Sequence, residues 1–339
     1  MAGELVLITG TTGFLGYAVL RAALEAGYRV RAPIRDLSKA QAILSAPSIK
    51  ALNPGSALDF VAVPDMLAPG AYDEVIKDVT LVIHVASPIP SAAKEGDDLH
   101  KVIVEPAIAG TMNVLKSASK VGTVKRVVVT SSVLAIANFA EVMAGTASKI
   151  TESSRVEFVP PPYSDAGAAY GASKVGALNE AEAWVEKEKP SFDVVHICPT
   201  VIFGANELAT TPEACFTSTN YLVLVPAAGK DADAFAGASI HLDDVATAHV
   251  KALDPKVPGN QAYITNSEEP EGSKFEQIME IVARDYSDKV KEGVLSNNGK
   301  IVTLKAIVDS KKSQDVLGLK PKGFEQQVKS VIDHYLSLF

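Results

Sequence analysis

The sequence predicts an α/β protein: a doubly wound parallel sheet with helices on both faces, joined to a smaller, mostly helical C-terminal lobe. Three observations predict it. Short apolar runs alternate with stretches of helical periodicity along residues 5–197. Those runs are continuously apolar, as strands buried on both faces must be. A glycine-rich turn follows the first of them, where a strand passes into a helix.

Taken in order, Leu5-Val6-Leu7-Ile8 reads as a buried strand, and Phe14 to Ala26 as a helix that stops at Gly27. Tyr28 to Ile34 is a second strand, Leu37 to Leu44 a second helix, and Phe60 to Val63 a short third strand. Tyr72 to Lys77 reads as a short helix and Leu81 to Val85 as a fourth strand. Val104 to Val121 is a long helix that tolerates Pro106 in its first turn. Arg126 to Thr130 is a fifth strand. Regular alternation of this kind implies right-handed crossovers and a parallel sheet.

Between Val133 and Ala169 the pattern dissolves into small, polar and Pro residues, a connection long enough to be functional or mobile. A helix then spans Tyr170 to Lys187, and a strand Val194 to Ile197. Beyond Phe203 the rhythm is irregular, with helical patterns near Lys274–Arg284 and Phe324–Ser337.

A chain of 339 residues exceeds one compact domain, at a prior of roughly 150 residues each. The expected division is 1–202 for the sheet domain, which also receives a segment near 236–250, and 203–339 for the smaller lobe interleaved with it. The composition, 47% hydrophobic and 21% charged, is that of a globular chain. With 32 Lys plus Arg against 40 Asp plus Glu, the net charge of -8 argues against a nucleic-acid or anionic-membrane binder. Only Cys198 and Cys215 are present, which suits a reducing compartment. No apolar run approaches the roughly 18 residues of a membrane span, and no secretory signal pattern opens the chain. A soluble, cytoplasmic protein, monomer or homodimer, is expected.

The glycine turn reads Gly10-Thr11-Thr12-Gly13-Phe14-Leu15-Gly16. Gly10 permits the tight turn, Gly13 a close approach of pyrophosphate to the backbone, and Gly16 close packing of helix on sheet. The helix N-terminus adds free N–H groups and a positive dipole end. This is a Rossmann-type dinucleotide fingerprint, with Thr12, Phe14 and Leu15 as further cofactor contacts. After the second strand stands Arg35 instead of an acid, with Lys39 a turn later. Two cations suit a 2′-phosphate, so the expected cofactor is NADPH/NADP+. Asp36 reads as a helix cap.

The helix opening at Tyr170 sets Tyr170 and Lys174 on one face, a phenol beside an ammonium that should lower its pKa. The fifth strand ends in Thr130-Ser131-Ser132, at the sheet edge where open α/β folds bind ligands. A serine there can donate to a carbonyl oxygen as charge develops on it. The six histidines lack metal-ligand spacing, so no metal is expected.

The ordered set of TGTTGFLG, Ser131-Ser132 and YGASK resembles the extended short-chain dehydrogenase/reductases. Within them it is most similar to the dihydroflavonol-reductase-like branch, especially fungal NADPH-dependent aldehyde and ketone (methylglyoxal-type) reductases. The segments VRAPIRD, HVASP and VVVTSS carry that closer match. The resemblance implies Tyr170 as general acid, Lys174 as its partner that also holds the nicotinamide ribose, and Ser132 as the group polarising a substrate carbonyl. It further implies cofactor contacts from Asp65, Met66, Val85, Ala86, Ser87, Thr130, Pro199 and Val201. A neutral, hydrophobic carbonyl substrate would be walled by Ser87, Pro88, Val133, Tyr170 and Phe203. Ala107 stands where many relatives carry a relay asparagine. A sugar-nucleotide epimerase or dehydratase shares this fold, but Val133-Leu134 replaces the Asp-Glu pair that dehydratases need. A cinnamoyl-CoA reductase would carry Asn-Trp-Tyr-Cys-Tyr around its tyrosine. An NADP-sensing protein without catalysis would dispense with the tyrosine.

Overall fold

The computed structural model describes residues 3–267 and 272–339. Strands β1 (Leu5–Thr9), β2 (Arg29–Ile34), β3 (Leu58–Ala62), β4 (Leu81–His84), β5 (Arg126–Thr130) and β6 (Asp193–Pro199) alternate with helices in the first 200 residues. The helices are α1 (Phe14–Glu25), α2 (Ala40–Ser45), α3 (Pro47–Leu52), α4 (Glu105–Ser119), α5 (Phe139–Met143) and α6 (Ala166–Glu188). Strands β7 (Val201–Phe203), β8 (Phe235–Ala236), β9 (Ser239–His241), β10 (Gln261–Thr265) and β11 (Thr303–Leu304) follow. The later helices are α7 (Tyr221–Ala227), α8 (Leu242–Lys251), α9 (Gln277–Asp285), α10 (Ser287–Lys291), α11 (Lys311–Leu317) and α12 (Phe324–Leu336). No helix among the described residues is long and apolar enough to cross a membrane.

The central sheet has seven strands in the order β10-β6-β5-β4-β1-β2-β3, and every pairing is parallel. Strand order reverses between β1 and β4, which opens a crevice at their C-terminal ends. Alternate strand residues serve two cores. Val6, Ile8, Val128, Val195 and Ile197 face α1 and α8, whereas Leu5, Leu7, Val82, Val127, Val129 and Val194 face α4 and the far part of α6. Burial on both faces is why these strands are apolar throughout. A third cluster, with Phe203, Leu222, Phe275, Ile278, Phe324 and Val328, is built from residues after β6.

Several elements differ from the sequence reading. The helix expected at Tyr72–Lys77 is a run of turns: Gly70 at φ +76 leads into it, and Ile76 N–H to Tyr72 O is its one helical bond. α6 begins a turn before Tyr170 because Asp165 caps it, its carboxylate accepting from Ala168 N–H at 2.9 Å. The long 133–169 connection is partly ordered, by α5 and by a bridge between Ile150 and Val308. The seventh strand, β10, comes from residues 261–265, where no strand was expected. Its register with β6 pairs Thr265 with Pro199.

The lower edge of the sheet is tied by a buried cation. Arg126 opens β5 opposite Asp193 of β6. Its guanidinium bonds both Asp193 oxygens, at 2.6 and 2.8 Å, and the carbonyls of Ala252, Asp254 and Val257. Arg126→Ala would leave a carboxylate and three carbonyls without that donor. The expected cost is about 3 kcal/mol of unfolding free energy, read by chemical denaturation; a change below about 1 kcal/mol would contradict the tie.

Candidate active site

At the tip of β1 the Thr9 hydroxyl accepts from the N–H groups of Val85 and Ala86, at 3.1 and 3.2 Å, and lies 2.8 Å from His84 Nδ1. That draws the turn after β4 against the glycine loop. Gly10 sits at φ +77, and a Cβ there would meet Ala86 N at 2.8 Å, so only glycine fits. A Cβ on Gly16 would lie 2.0 Å from Gly10 O, which is the close helix–sheet contact expected of that glycine. Gly13 differs: it is exposed, its Cβ position is nearly open, and it caps α1 with no side chain on the first-turn N–H groups. Thr12 is exposed beside it, Phe14 half-buried and Leu15 buried. The cradle therefore fits a pyrophosphate.

β1 and β2 run in register through Leu7 and Arg31, so Ile34 and Arg35 leave the sheet beside Gly10. Arg35 and Lys39 are both exposed, and neither is paired with a carboxylate among the described residues. Asp36 is turned to other work: it caps the following turn, accepting from Ser38 N–H at 2.9 Å and Ser38 Oγ at 2.7 Å. The Asp65-Met66 loop follows β3 and is pinned by Asn113 of α4, whose amide donates to the carbonyls of Met66, Leu67 and Ala68. The sequence offered no signal for that asparagine.

Ser132, Tyr170 and Lys174 converge across the sheet edge. Ser132 leaves β5 and caps a turn at Val133–Ala135, its hydroxyl accepting from Leu134 N–H at 3.1 Å. The neighbouring Ser131 hydroxyl is hydrogen-bonded to Cys198 on β6, which the Ser132 backbone also meets. Lys174 is buried, with Nζ 5.4 Å from the Tyr170 ring centre, and donates to Ser87 Oγ at 3.0 Å. Burial pushes the Tyr170 phenol up to about 12, and the hydrogen bond with Ser132 pulls it back. The sequence reading expected the lysine to lower this pKa; burial raises it instead, and the lowering comes from Ser132. Burial brings Lys174 itself down to about 8, opposed weakly by Cys198.

Of the other expected contacts, Val85, Ala86, Ser87 and Pro88 line the turn after β4 and are partly accessible, as are Val133 and Val201. Pro199 is buried in β6. The Thr130 side chain is committed elsewhere, 2.7 Å from Nε2 of His249 on α8. Phe203 is not a pocket wall. Its ring is 0% exposed, with centroids 5.8 Å from Phe275 and 6.3 Å from Phe324 in the third cluster. The apolar strand β7 carries it into the core. Among the described residues no three His, Cys, Asp or Glu side chains converge as metal ligands would.

The sequence pattern of the NAD dependent epimerase/dehydratase family matches residues 6–265. Ketoreductase CTB6 of Cercospora nicotianae is 37% identical over 350 positions, covering 100% of this chain and 96% of that protein. The NAD-dependent epimerase/dehydratase ALT6 of Alternaria alternata is 37% identical over 344 positions, covering 96% of each. Among solved structures, yeast methylglyoxal/isovaleraldehyde reductase Gre2, complexed with NADPH, superposes with a TM-score of 0.82 at 24% identity over 98% of both chains. Alfalfa vestitone reductase gives a TM-score of 0.72 at 23% identity, again over 98% of both. At such identities these two likenesses speak to the fold.

A cation held in a dry site costs stability. Lys174 keeps its charge below about pH 8 in the folded chain, and to about 10.4 when unfolded. The penalty is therefore complete below pH 8 and fades as pH rises to the unfolded value. Lys174→Met should raise the unfolding free energy at pH 7 by about 2 kcal/mol, with the gain shrinking between pH 8 and 10. Thermal unfolding across that range checks it; a destabilised Met variant would show that the ammonium is well compensated.

Proposed function

From the premise that the chain belongs to the NAD dependent epimerase/dehydratase family, the extended short-chain dehydrogenase/reductases, we propose that it is an NADPH-dependent carbonyl reductase that converts aldehydes or ketones to alcohols. The observation that carries the reading is the convergence of Ser132, Tyr170 and Lys174 beside the glycine cradle. The ketoreductase relatives support it, as does the NADPH bound to the yeast reductase of like fold.

NADPH, when bound, would supply the hydride that the carbonyl carbon accepts. The N–H groups at the start of α1, with Gly13, hold the pyrophosphate, while Arg35 and Lys39 take the 2′-phosphate. Asp65 and Met66 flank the adenine. Ser132 donates a hydrogen bond to the substrate oxygen, and Tyr170 donates a proton to that oxygen as negative charge grows on it. Lys174 holds the ribose and, with its charge, favours the tyrosinate left behind. Ser87, Pro88 and Val133 wall the pocket, whose apolar character suits a neutral, hydrophobic substrate. The dehydratase alternative is disfavoured because Val133 and Leu134 pack against an apolar cluster and carry no acid or base. Residues 203–339 are the lobe that covers the site, with part of it returning to the sheet.

The test is NADPH oxidation with an activated ketone or aryl aldehyde. Tyr170→Phe should cut kcat at least about 100-fold while NADPH affinity stays within about twofold. Near-normal turnover in that variant would remove Tyr170 as proton donor. Arg35→Ala should raise KM for NADPH about tenfold more than for NADH; an unchanged ratio would refute the 2′-phosphate assignment.

A further inference from the structure

His84, Val129 and His196 are register neighbours on β4, β5 and β6. Val129 faces the α4 side of the sheet, and the matching register puts both histidines on that face. Thr111 of α4 and Lys174 and Ala177 of α6 lie over this row, and Ser131 closes the end. Between them is a cavity of about 10 Å³, room for the centre of one water.

Two residues of the cavity wall carry a polar atom that has no partner among the described residues, His84 and His196. The Thr9 hydroxyl accepts two backbone N–H groups, so its own proton goes to His84 Nδ1 and the ring proton sits on Nε2. Nε2 is buried and meets no hydrogen-bonding atom among the described residues, and the same holds for Nδ1 of His196. The His84 ring stays neutral, since burial and then the Lys174 charge take its pKa down to about 3. Lys174 has three donors and, among the described residues, a single acceptor, Ser87 Oγ. The groups facing it are Tyr170 on its own helix, His84 and Ser87 from β4 and its turn, and Cys198 and His196 on β6. None is an anion at neutral pH: the phenol and the thiol are each pushed up to about 12.

We propose that this cavity binds one ordered water that accepts hydrogen bonds from Nε2–H of His84 and from Nζ of Lys174, which makes His84 a positioning residue for the lysine. The water's two lone pairs match two donors, the Nε2–H of His84, which has no acceptor among the described residues, and a Lys174 N–H beyond the one given to Ser87. Its protons face the Thr111 and Ser131 hydroxyls and Nδ1 of His196. Fixed by His84, the water stabilises the charged lysine against its dry surroundings, the form that the reductase reading requires. The kinetic consequence rests on that reading; the water site does not.

Two independent measurements decide it. A crystal structure of the NADP+ complex, at a resolution that orders waters, should show one within about 3.2 Å of both nitrogens; none there overturns the proposal. His84→Asn keeps an acceptor for Thr9 but has no atom long enough to enter the cavity. His84→Gln restores a donor near the Nε2 position, and Ala177→Val fills the cavity from α6 without touching His84. For His84→Asn and Ala177→Val, the alkaline limb of kcat should move about one pH unit lower, with kcat at pH 7 down about fivefold and KM for NADPH within twofold. His84→Gln should recover part of the shift. An alkaline limb unmoved in both His84→Asn and Ala177→Val overturns the positioning role. Should His84→Asn fail to fold, Ala177→Val carries the kinetic arm alone. A wild-type protein that reduces no carbonyl compound refutes the reductase reading, and the crystallographic result still decides the water.

Discussion

The Thr9 hydroxyl at the tip of β1 takes hydrogen bonds from Val85 and Ala86 N–H and gives its own proton to His84. Three bonds on one small side chain fold the end of β4 back over the glycine loop. The packing that follows leaves no freedom at Gly10, whose hypothetical Cβ collides with Ala86, or at Gly16, whose Cβ would collide with Gly10 itself. The same turn delivers Ser87 to Lys174 at 3.0 Å. The phosphate cradle and the lysine of the candidate site are thus set by a single contact at the point where strand order reverses.

What that frame encloses is a site built against its own stability. Lys174 sits in a dry environment with no carboxylate in contact, and Tyr170 is driven by the same burial toward its neutral form. Both shifts agree with the proposed reading, in which the phenol would hold its proton before the reaction and the lysine would stay charged beside it at neutral pH. A carboxylate beside Lys174 would stabilise the chain better. On the proposed reading it would also cancel the positive field that Lys174 would place near Tyr170, so the hydroxyl of Ser87 would be the more useful neighbour.

How much of this could be read from the sequence depends on the range of the interaction. β1, α1 and β5 come out within a residue or two because each is set by a local pattern, an apolar run, a glycine or a turn. The glycine cradle and the Ser132, Tyr170 and Lys174 set were legible for the same reason, since their spacing carries their geometry. β10 was not: Gln261–Thr265 is only five residues long, and it is a strand because β6 offers it an open edge. Phe203 looked like a pocket residue beside Pro199 and Val201, but partners 72 and 121 positions later, Phe275 and Phe324, draw it into the core. Asn113 acts through a distant loop, so nothing local marked it, and the bond between Thr9 and His84 joins two motifs that the sequence shows only separately. The Tyr170 pKa fails for another reason. Helical spacing reports the neighbouring lysine, whereas desolvation depends on the whole fold.

The two halves of the chain meet through polar ties that fall on the middle of α1 and spare its N-terminus. Tyr17 donates to Glu207 at 2.7 Å, and Ser48 N–H donates to the same carboxylate at 3.0 Å, which joins the segment after β7 to α1 and α3. One turn on, Arg21 bonds Asp243 at 2.5 Å, and Lys322 reaches Asp243 from before α12 at 2.7 Å. Although burial pushes the other way, hydrogen bonds from Ser48 and Tyr17 hold the Glu207 carboxyl below its usual range. The tie therefore stays ionic at neutral pH. A chain of net charge -8 spends the partly buried Arg21 and Lys322 on joining its halves. The cations left exposed at the end of β2 are Arg35 and Lys39. That division of labour suits the proposed reading, in which an acidic protein would hold a polyanionic ligand: fixed cations clamp the frame, and exposed ones stand beside the glycine loop.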